Sequence, residues 1–591
     1  MNNTDDRPIF TLYSEGNKIP SQYQVTHATI HSEANRIGKA MFKLYASDKE
    51  KQAFDISDGN TFKHGSAIKL EVKHNKKEKT LFEGFVISTE IEINSGQADM
   101  LIVECRDYGF LTTLGRKNSV YEESTDSDVF KKIISSYSDL SLKVEDSGIK
   151  HSALVQYYCT DWDFILSRAD ISGMIVISSG KEISIRKPEI DAEPIAEYTY
   201  GVNILEFNGK LSLSNQYAEI NTASWNFSKQ EIVEVTNKKQ TTNKQGDLSI
   251  KNLAEKNSNI LRYQTDASIN KESLNAWADA LASKNALSRY SGHFTTQGTS
   301  DIIPGCMVEL KGLGKRFDGK VFVNSVEHII DEDIWHTKIG MGLSDYSVVD
   351  QPDIVAPLAS GFLPGIQGLH IGIVRQLQDD PLSGFRILVE YPLMNGNKNS
   401  IWSRLLTPYS GNNAGILFIP EVGEEVVVGF FNNDPCHPVV LGGLYNEKHK
   451  PPVDFSEKNE IKTITTKEKL TLEFNDTKKT ISIKTPGGSH LNMNDEDKSV
   501  SLGDTNGNSI LLNSDGITFK TNKNILLEAK GEIKTDAGSK LQLASKSSDV
   551  SIEGLNIKAT AKVGVTCKGN ATAEISSSGN TTVKGAMVMI N

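Results

Sequence analysis

Residues 314–320, Gly-Lys-Arg-Phe-Asp-Gly-Lys, have the spacing of a loop that cradles phosphate with backbone N–H groups and a lysine. Val321 stands where such a loop needs a hydroxyl for magnesium, and the residues beyond it alternate as a strand instead of opening a helix toward an anion. The expectation is a hairpin turn. Asp504-Thr505-Asn506-Gly507-Asn508 starts like a calcium loop, but Ser509 replaces the required glycine and Leu512 fills an oxygen-ligand position, so a turn is expected there too. His27 and His31 have HxxxH spacing inside QVTHATIHS, which alternates like a strand and brings no third ligand. Asp434, Cys436 and His437 sit together in NNDPCHPVV, where a metal or thiol–imidazole pair is conceivable, but two prolines make a rigid strand connection the better reading. No GxSxG or other local nucleophile signature occurs. Carboxylate pairs such as Asp379-Asp380 and Glu424-Glu425 read as solvated acidic turns; a glycosidase dyad needs only to meet in space, and nothing singles one out. The chain is therefore expected to have no catalytic residue, no metal site and no cofactor.

What positions these residues is a long, β-rich chain. Its 591 residues correspond to about four domains. Aromatics are sparse at 7% while glycines number 46 against 17 prolines, a turn-heavy balance that points to much β-structure. Lys plus Arg (64) against Asp plus Glu (75) gives a net charge of −11, which argues against a nucleic-acid binder or a protein held to anionic membranes by bulk charge. No cationic, apolar leader opens the chain and no apolar run approaches 18 residues, so synthesis in the cytosol without a membrane span is expected. The five cysteines are far apart with no CxxC, and read as reduced structural thiols.

Four regions follow from periodicity. Residues 1–350 alternate as barrel or sandwich strands, for example AIKLEV (67–72) and ADMLIVEC (98–105), interrupted by helices predicted over Asp126–Ser138, capped by Asp126 or Ser127, and over Glu272–Arg289. Residues 351–365 concentrate proline and glycine as a linker. Residues 366–450 compress the strands HIGIVRQL, FRILVEY, SIWSRLL, GILFIP, EEVVVGF and PVVLGGLY into the length of a small closed barrel of the OB kind. Residues 451–591 repeat five-to-seven-residue alternations, from LTLEF and ISIKT through ILLEAK, LQLAS and VSIEG to ATAEI, at a spacing of eight to eleven. Leu470, Leu472 and Phe474 then share one strand face, and Leu527, Leu541, Leu543, Val550 and Ile552 continue the same apolar set. Strands this short, without helices or large aromatics, give one chain too little inner bulk to cover that face. Three chains wound together close a slender triangular β-helix around it, a needle on the order of 60–70 Å long at about 4.8 Å per layer. The alternative is a single-chain β-solenoid.

The central run resembles the OB-fold segment of VgrG proteins, the spikes of type VI secretion systems. The resemblance rests on Arg386–Pro392, Trp402 and Arg404, PEVGEEV (420–426), Gly429 and Phe430, Asp434-Pro435 with Pro438, and GGLYN (442–446). DWDFILSRADISGMIVI (161–177) is similar to that family's aromatic-plus-arginine helix before a strand, and IIPGCMVELKG (302–312) with SVEHII (325–330) to the close of its hub. The resemblance implies a phage-hub-like double β-barrel over 1–350, and a homotrimer that joins a hexameric, Hcp-like tube to a PAAR-repeat tip while contacting baseplate components. It also implies transport of effectors or their adaptors and mechanical puncture of a target membrane, with no enzymatic activity. The tip platform would be the final stretch, with Val583, Met587, Val588, Met589, Ile590 and Asn591. Only some fifteen residues separate Tyr445 from Ile461, too few for the lysozyme that phage relatives can carry there, and with the chain stopping at Asn591 any toxin is expected as separate cargo. Such a protein would be assembled in the cytoplasm and then propelled outward. Two other readings stay open: the spike of an extracellular phage-tail-like injection particle, and a β-helical polysaccharide-binding or polysaccharide-degrading protein.

Overall fold

The computed structural model describes residues 7–46, 53–74, 76–212, 214, 216–238, 243–248, 260–332, 334–394, 396 and 398–590. The chain is mainly β and divides into two compact units, Met1–Leu444 and Tyr445–Asn591.

In the first unit, alternation decides which side chains go inside. Strand Lys39–Tyr45 buries Ala40, Phe42 and Leu44, and its neighbour Met100–Arg106 buries Leu101, Val103 and Cys105, while the residues between them reach the surface. These strands belong to a thirteen-stranded sheet. Val25–Glu33 pairs antiparallel with Gly319–Asp331, Glu33 opposite Ser325 and His27 opposite Asp331, so segments far apart in sequence share one sheet. One core gathers around Phe42, Leu44 and Leu101, another around Phe294, Val308 and Ile339.

Helices interrupt the strands where capping chemistry permits. Helix Asp126–Ile134 is shorter than the predicted 126–138, because the hydroxyls of Ser135 and Ser136 donate back to the Lys132 and Ile133 carbonyls and close the last turn. Its cap is Thr125 in a reciprocal capping box with Asp128, not Asp126 or Ser127. Helix Asp161–Ile171 is capped by Thr160, and Lys271–Ser288 by Asn270.

Residues 370–443 form a closed five-stranded barrel. In sequence order its strands are His370–Gln376, Ile387–Glu390, Ser400–Leu405, Glu425–Phe430 and Pro438–Gly443. The third and fifth strands pair in parallel, and the first closes on the fourth. That closure leaves no edge for a sixth strand, and the expected strand GILFIP is absent: after a two-residue hairpin at 410–415, Ile416–Ile419 run irregularly with their side chains exposed.

The second unit opens with seven antiparallel strands in sequence order: Ile461–Thr465, Thr471–Asn475, Thr480–Lys484, His490–Asn494, Ser499–Gly503, Ser509–Asn513 and Gly516–Lys520. Its register lines up two apolar rows on one face. One row runs from Ile464 through Leu472, Ile483, Leu491, Leu502 and Ile510 to Phe519; beside it Phe474, Ile481, Met493, Val500, Leu512 and Ile517 form the second. Between these rows, on the opposite face, lie Thr463, Glu473, Ser482, Asn492, Ser501, Leu511 and Thr518, polar at every position but Leu511. Beyond Lys520 the single chain pairs no further strands: among the described residues 521–590 none is in a strand.

Two buried titratable groups in the first unit oppose each other. His328 packs against Trp335 with Nδ1 3.1 Å from the Thr337 hydroxyl, and burial pushes its pKa down from 6.5 to about 4. The unfolded chain therefore takes up a proton between those values that the folded chain refuses, and this contribution to stability rises with pH from about 4 to 6.5, by about 3 kcal/mol. Asp107 accepts hydrogen bonds from the backbone N–H groups of Gly38 and Gly109 and from the Ser178 hydroxyl, yet burial outweighs these and pushes its pKa up to about 7. Its contribution falls as pH rises through the same window. Removing the imidazole in His328→Leu is expected to tilt the melting-temperature profile between pH 5 and 6.5 downward relative to wild type, because the contribution that rises with pH is lost. An unchanged profile in thermal melts would refute this pairing of effects.

Candidate assembly surface

The surface that stands out is the open face of the seven-stranded sheet. A sheet layer normally buries its apolar face against a second layer. Here Phe474, Ile481, Ile483, Met493, Leu502 and Leu512 remain well exposed, and Leu472, Leu491, Val500 and Ile510 half-buried. Alternation fixes this sidedness, and three turns hold the register. The strands ending in Asn475, Asn494 and Asn513 each use the terminal asparagine Oδ1 to accept a hydrogen bond from a turn N–H, that of Lys478 (2.9 Å), Glu496 (2.9 Å) and Asp515 (3.0 Å). Those asparagines recur every nineteen residues, a repeat of paired strands that a spacing of eight to eleven does not capture.

The residues expected to fill a needle core are not brought together within one chain. Leu472 and Phe474 sit in the two apolar rows, with Leu470 just ahead of them and exposed. Leu527, Leu541, Leu543, Val550 and Ile552 lie in the strand-free stretch, all exposed. Val583, Met587, Val588, Met589 and Ile590 are exposed likewise, and Asn591 lies outside the described residues. The barrel adds exposed apolar groups of its own, including Leu393, Leu417 and Phe418.

The residues whose spacing could do chemistry take part in turns and ion pairs. Residues 314–318 make a tight turn, with the N–H groups of Phe317 and Asp318 donating to the Gly314 carbonyl, and lead directly into the strand beginning at Gly319. Asp504 accepts from the N–H groups of Asn506 and Asn508 at 2.9 Å each, closing its own turn. His27 pairs with Asp331, and His31 Nε2 lies 3.1 Å from Glu33 Oε2. Asp434 takes the Cys436 N–H at 2.8 Å and approaches His437 Nδ1 at 3.0 Å. Among the described residues no three His, Cys, Asp or Glu side chains converge as a metal site. Asp380 departs from expectation: it is not a solvated turn residue but a nearly buried carboxylate paired with Arg386.

One cluster carried no local signal. Asp126, on the first turn of its helix and only 2% exposed, receives Arg168 Nε at 2.7 Å and Nη2 at 3.1 Å, with the Ser172 hydroxyl donating at 2.9 Å and His151 Nε2 3.3 Å away. These groups lie on two helices and the strand Lys150–Cys159, and line one end of a cavity of about 350 Å³ walled by Leu154, Ile171, Ile269 and Trp277.

Residues 4–332, more than half of the chain, match the family described as the Alg8 N-terminal domain. The chain belongs to that family. Residues 370–445, the barrel, match the type VI secretion system/phage-baseplate injector OB domain. The likeness to VgrG spike proteins read from residues 386–446 holds among curated relatives as well. The chain is 33% identical over 87 residues to the actin cross-linking toxin VgrG1 of Vibrio cholerae, covering 14% of this chain and 8% of that protein. It is 24% identical over 144 residues to the type VI secretion system spike protein VgrG1c of Pseudomonas aeruginosa, covering 22% of this chain and 20% of that protein. The matches thus span a fifth or less of these relatives' own length. Among solved structures, the 43 kDa tail protein of prophage MuSo2 from Shewanella oneidensis aligns with a TM-score of 0.45 at 11% identity, over 57% of this chain and 99% of the other. A tail protein from Neisseria meningitidis aligns with a TM-score of 0.43 at 13% identity, over 59% and 99%.

Proposed function

We propose that this protein is a homotrimeric hub and spike at the tip of a contractile injection machine of the type VI kind, and that it works mechanically, without covalent chemistry. The observation that carries the reading is the open apolar face of the seven-stranded sheet, followed by some seventy residues of alternating sequence with no strand partner inside the chain. Burying the remaining half of each Leu or Ile in the two rows contributes on the order of 1 kcal/mol per side chain, and three copies gain it together. Backbone groups from residue 521 onward gain ladder partners only from other copies. The relatives named as spike proteins support the same reading.

In this reading residues 1–350 are the hub that meets a hexameric tube, residues 366–450 the barrel and residues 451–591 the needle, with 351–365 as linker. Val583 and Met587–Asn591 form the platform for a PAAR-type tip, and effectors travel with the spike. Assembly takes place in the cytoplasm, before the spike is propelled outward. The barrel's match to a domain described for both type VI systems and phage baseplates keeps the extracellular injection particle as the second reading.

Light scattering on the full chain tests the assembly. A molar mass near three times 65.0 kDa, retained on heating and in detergent, is the expected result. A well-folded 65.0 kDa monomer would remove the spike reading and leave a single-chain solenoid.

A further inference from the structure

The loop between the first two barrel strands is clasped on one carboxylate and leaves an apolar tip exposed. The Asp380 carboxylate, 7% exposed, accepts hydrogen bonds from the backbone N–H groups of Leu382 (3.1 Å), Gly384 (2.8 Å) and Arg386 (3.3 Å), and from Arg386 Nε (3.1 Å) and Nη2 (2.5 Å). Arg386 first, and these backbone donors after it, hold the carboxyl well below the usual carboxylate range. The backbone is forced as well: Asp379, Ser383 and Phe385 all have left-handed φ, 63°, 51° and 54°, which non-glycine residues adopt only where surrounding contacts impose it. The product of this clasp is a tip with Leu382 75% and Phe385 97% exposed.

We propose that residues 380–386 form a preset apolar knob that seats Leu382 and Phe385 against the barrel of a second copy of this chain. The proposal rests on the trimeric spike reading and adds a specific contact to it. Preorganisation lowers the entropy lost on docking, which is the use of a rigid clasp under an apolar tip. Two side chains bury far less than the roughly 1,200–2,000 Å² that an independent protein–protein interface needs. Such a contact is useful only to a partner already held close by. Residues 445–460 lead from the barrel directly into the sheet whose open face the spike reading closes with two further copies, so each barrel is tethered within reach of two others and the knob acts at high effective concentration. The receiving surface is the exposed stretch Ile416–Ile419 with Leu417 and Phe418 at its centre. A knob and a socket on different parts of the same barrel make a head-to-tail contact, which closes into a ring in a three-fold assembly.

The test places a photoreactive benzoyl-phenylalanine at position 385 of the full chain and assembles it with isotopically heavy chains lacking the probe. Light scattering on the same sample reports the assembly state first. Expected is a trimer in which irradiation links light position 385 to heavy peptides from residues 370–445. The same chain with Asp380→Asn, its clasp weakened, should lose crosslink yield several-fold while keeping its trimer mass. A trimer without heavy–light crosslinks, or one whose yield ignores Asp380→Asn, overturns the knob and leaves the spike reading standing. A monomer overturns the spike reading, and the knob with it.

Discussion

Leu491→Asp is expected to abolish assembly of the full chain, shifting its molar mass from three times 65.0 kDa toward 65.0 kDa and removing its resistance to heat and detergent. Leu491 stands on the central strand of the seven, cross-paired with Ile483 and Leu502 in the first apolar row. In a three-fold prism its three copies meet at one level near the axis. A carboxylate there costs several kcal/mol in desolvation per copy, and the three like charges repel one another with little water between them. Asn492→Asp, one residue along and on the opposite face beside Ser482 and Ser501, adds the same charge to the same strand and should leave the mass unchanged. The contrast separates burial in the assembly from the mere addition of a charge to this strand, which the two substitutions share. Leu527→Asp and Ile552→Lys are expected to splay the needle farther along. A Leu491→Asp chain with trimer mass and undiminished thermal resistance would refute the proposed burial of this face.

The sequence showed most where one residue's environment repeats in its neighbours. Leu70 and Leu101 were legible as core because every second residue of their strands is apolar, and the barrel because five such strands fall within some eighty residues. GILFIP carried the same signal and misled, since whether a strand forms there depends on a free barrel edge, which local pattern does not encode. The stretch 521–590 is the same lesson at larger scale: alternation states a capacity for strand, and pairing needs a partner.

Side-chain clusters were less legible for a related reason. The acidic pair Asp379-Asp380 looked solvated because two adjacent carboxylates on an acidic protein usually are. Only the loop's left-handed turns bring Arg386 and three N–H groups onto Asp380. Asp126 and Arg168 are joined across 42 positions by the packing of two helices, a separation at which no motif operates. The asparagines at 475, 494 and 513 were within reach of sequence reading, because a nineteen-residue repeat needs only a longer window.

The Asp126–Arg168 pair supplies the second large effect. Replacing Arg168 by methionine keeps most of the side chain's bulk but strands a carboxylate that is 2% exposed, leaving it the Ser172 hydroxyl and the nearby His151 ring. Breaking one side of a buried pair in this way costs about 3–5 kcal/mol. The double change Asp126→Leu with Arg168→Met removes both charges together and should recover most of that loss, apart from about 0.5–1 kcal/mol for the acidic group at the helix N-terminus. Trp162, buried on the helix that carries Arg168, gives a local fluorescence readout during denaturant unfolding of the full chain once the other four tryptophans are replaced by phenylalanine. The expected order is wild type, then the double variant, then Arg168→Met well below both. If Arg168→Met unfolds within about 1 kcal/mol of wild type, the carboxylate has found water or other donors, and the pair does not bind the two helices to the strand as the geometry requires.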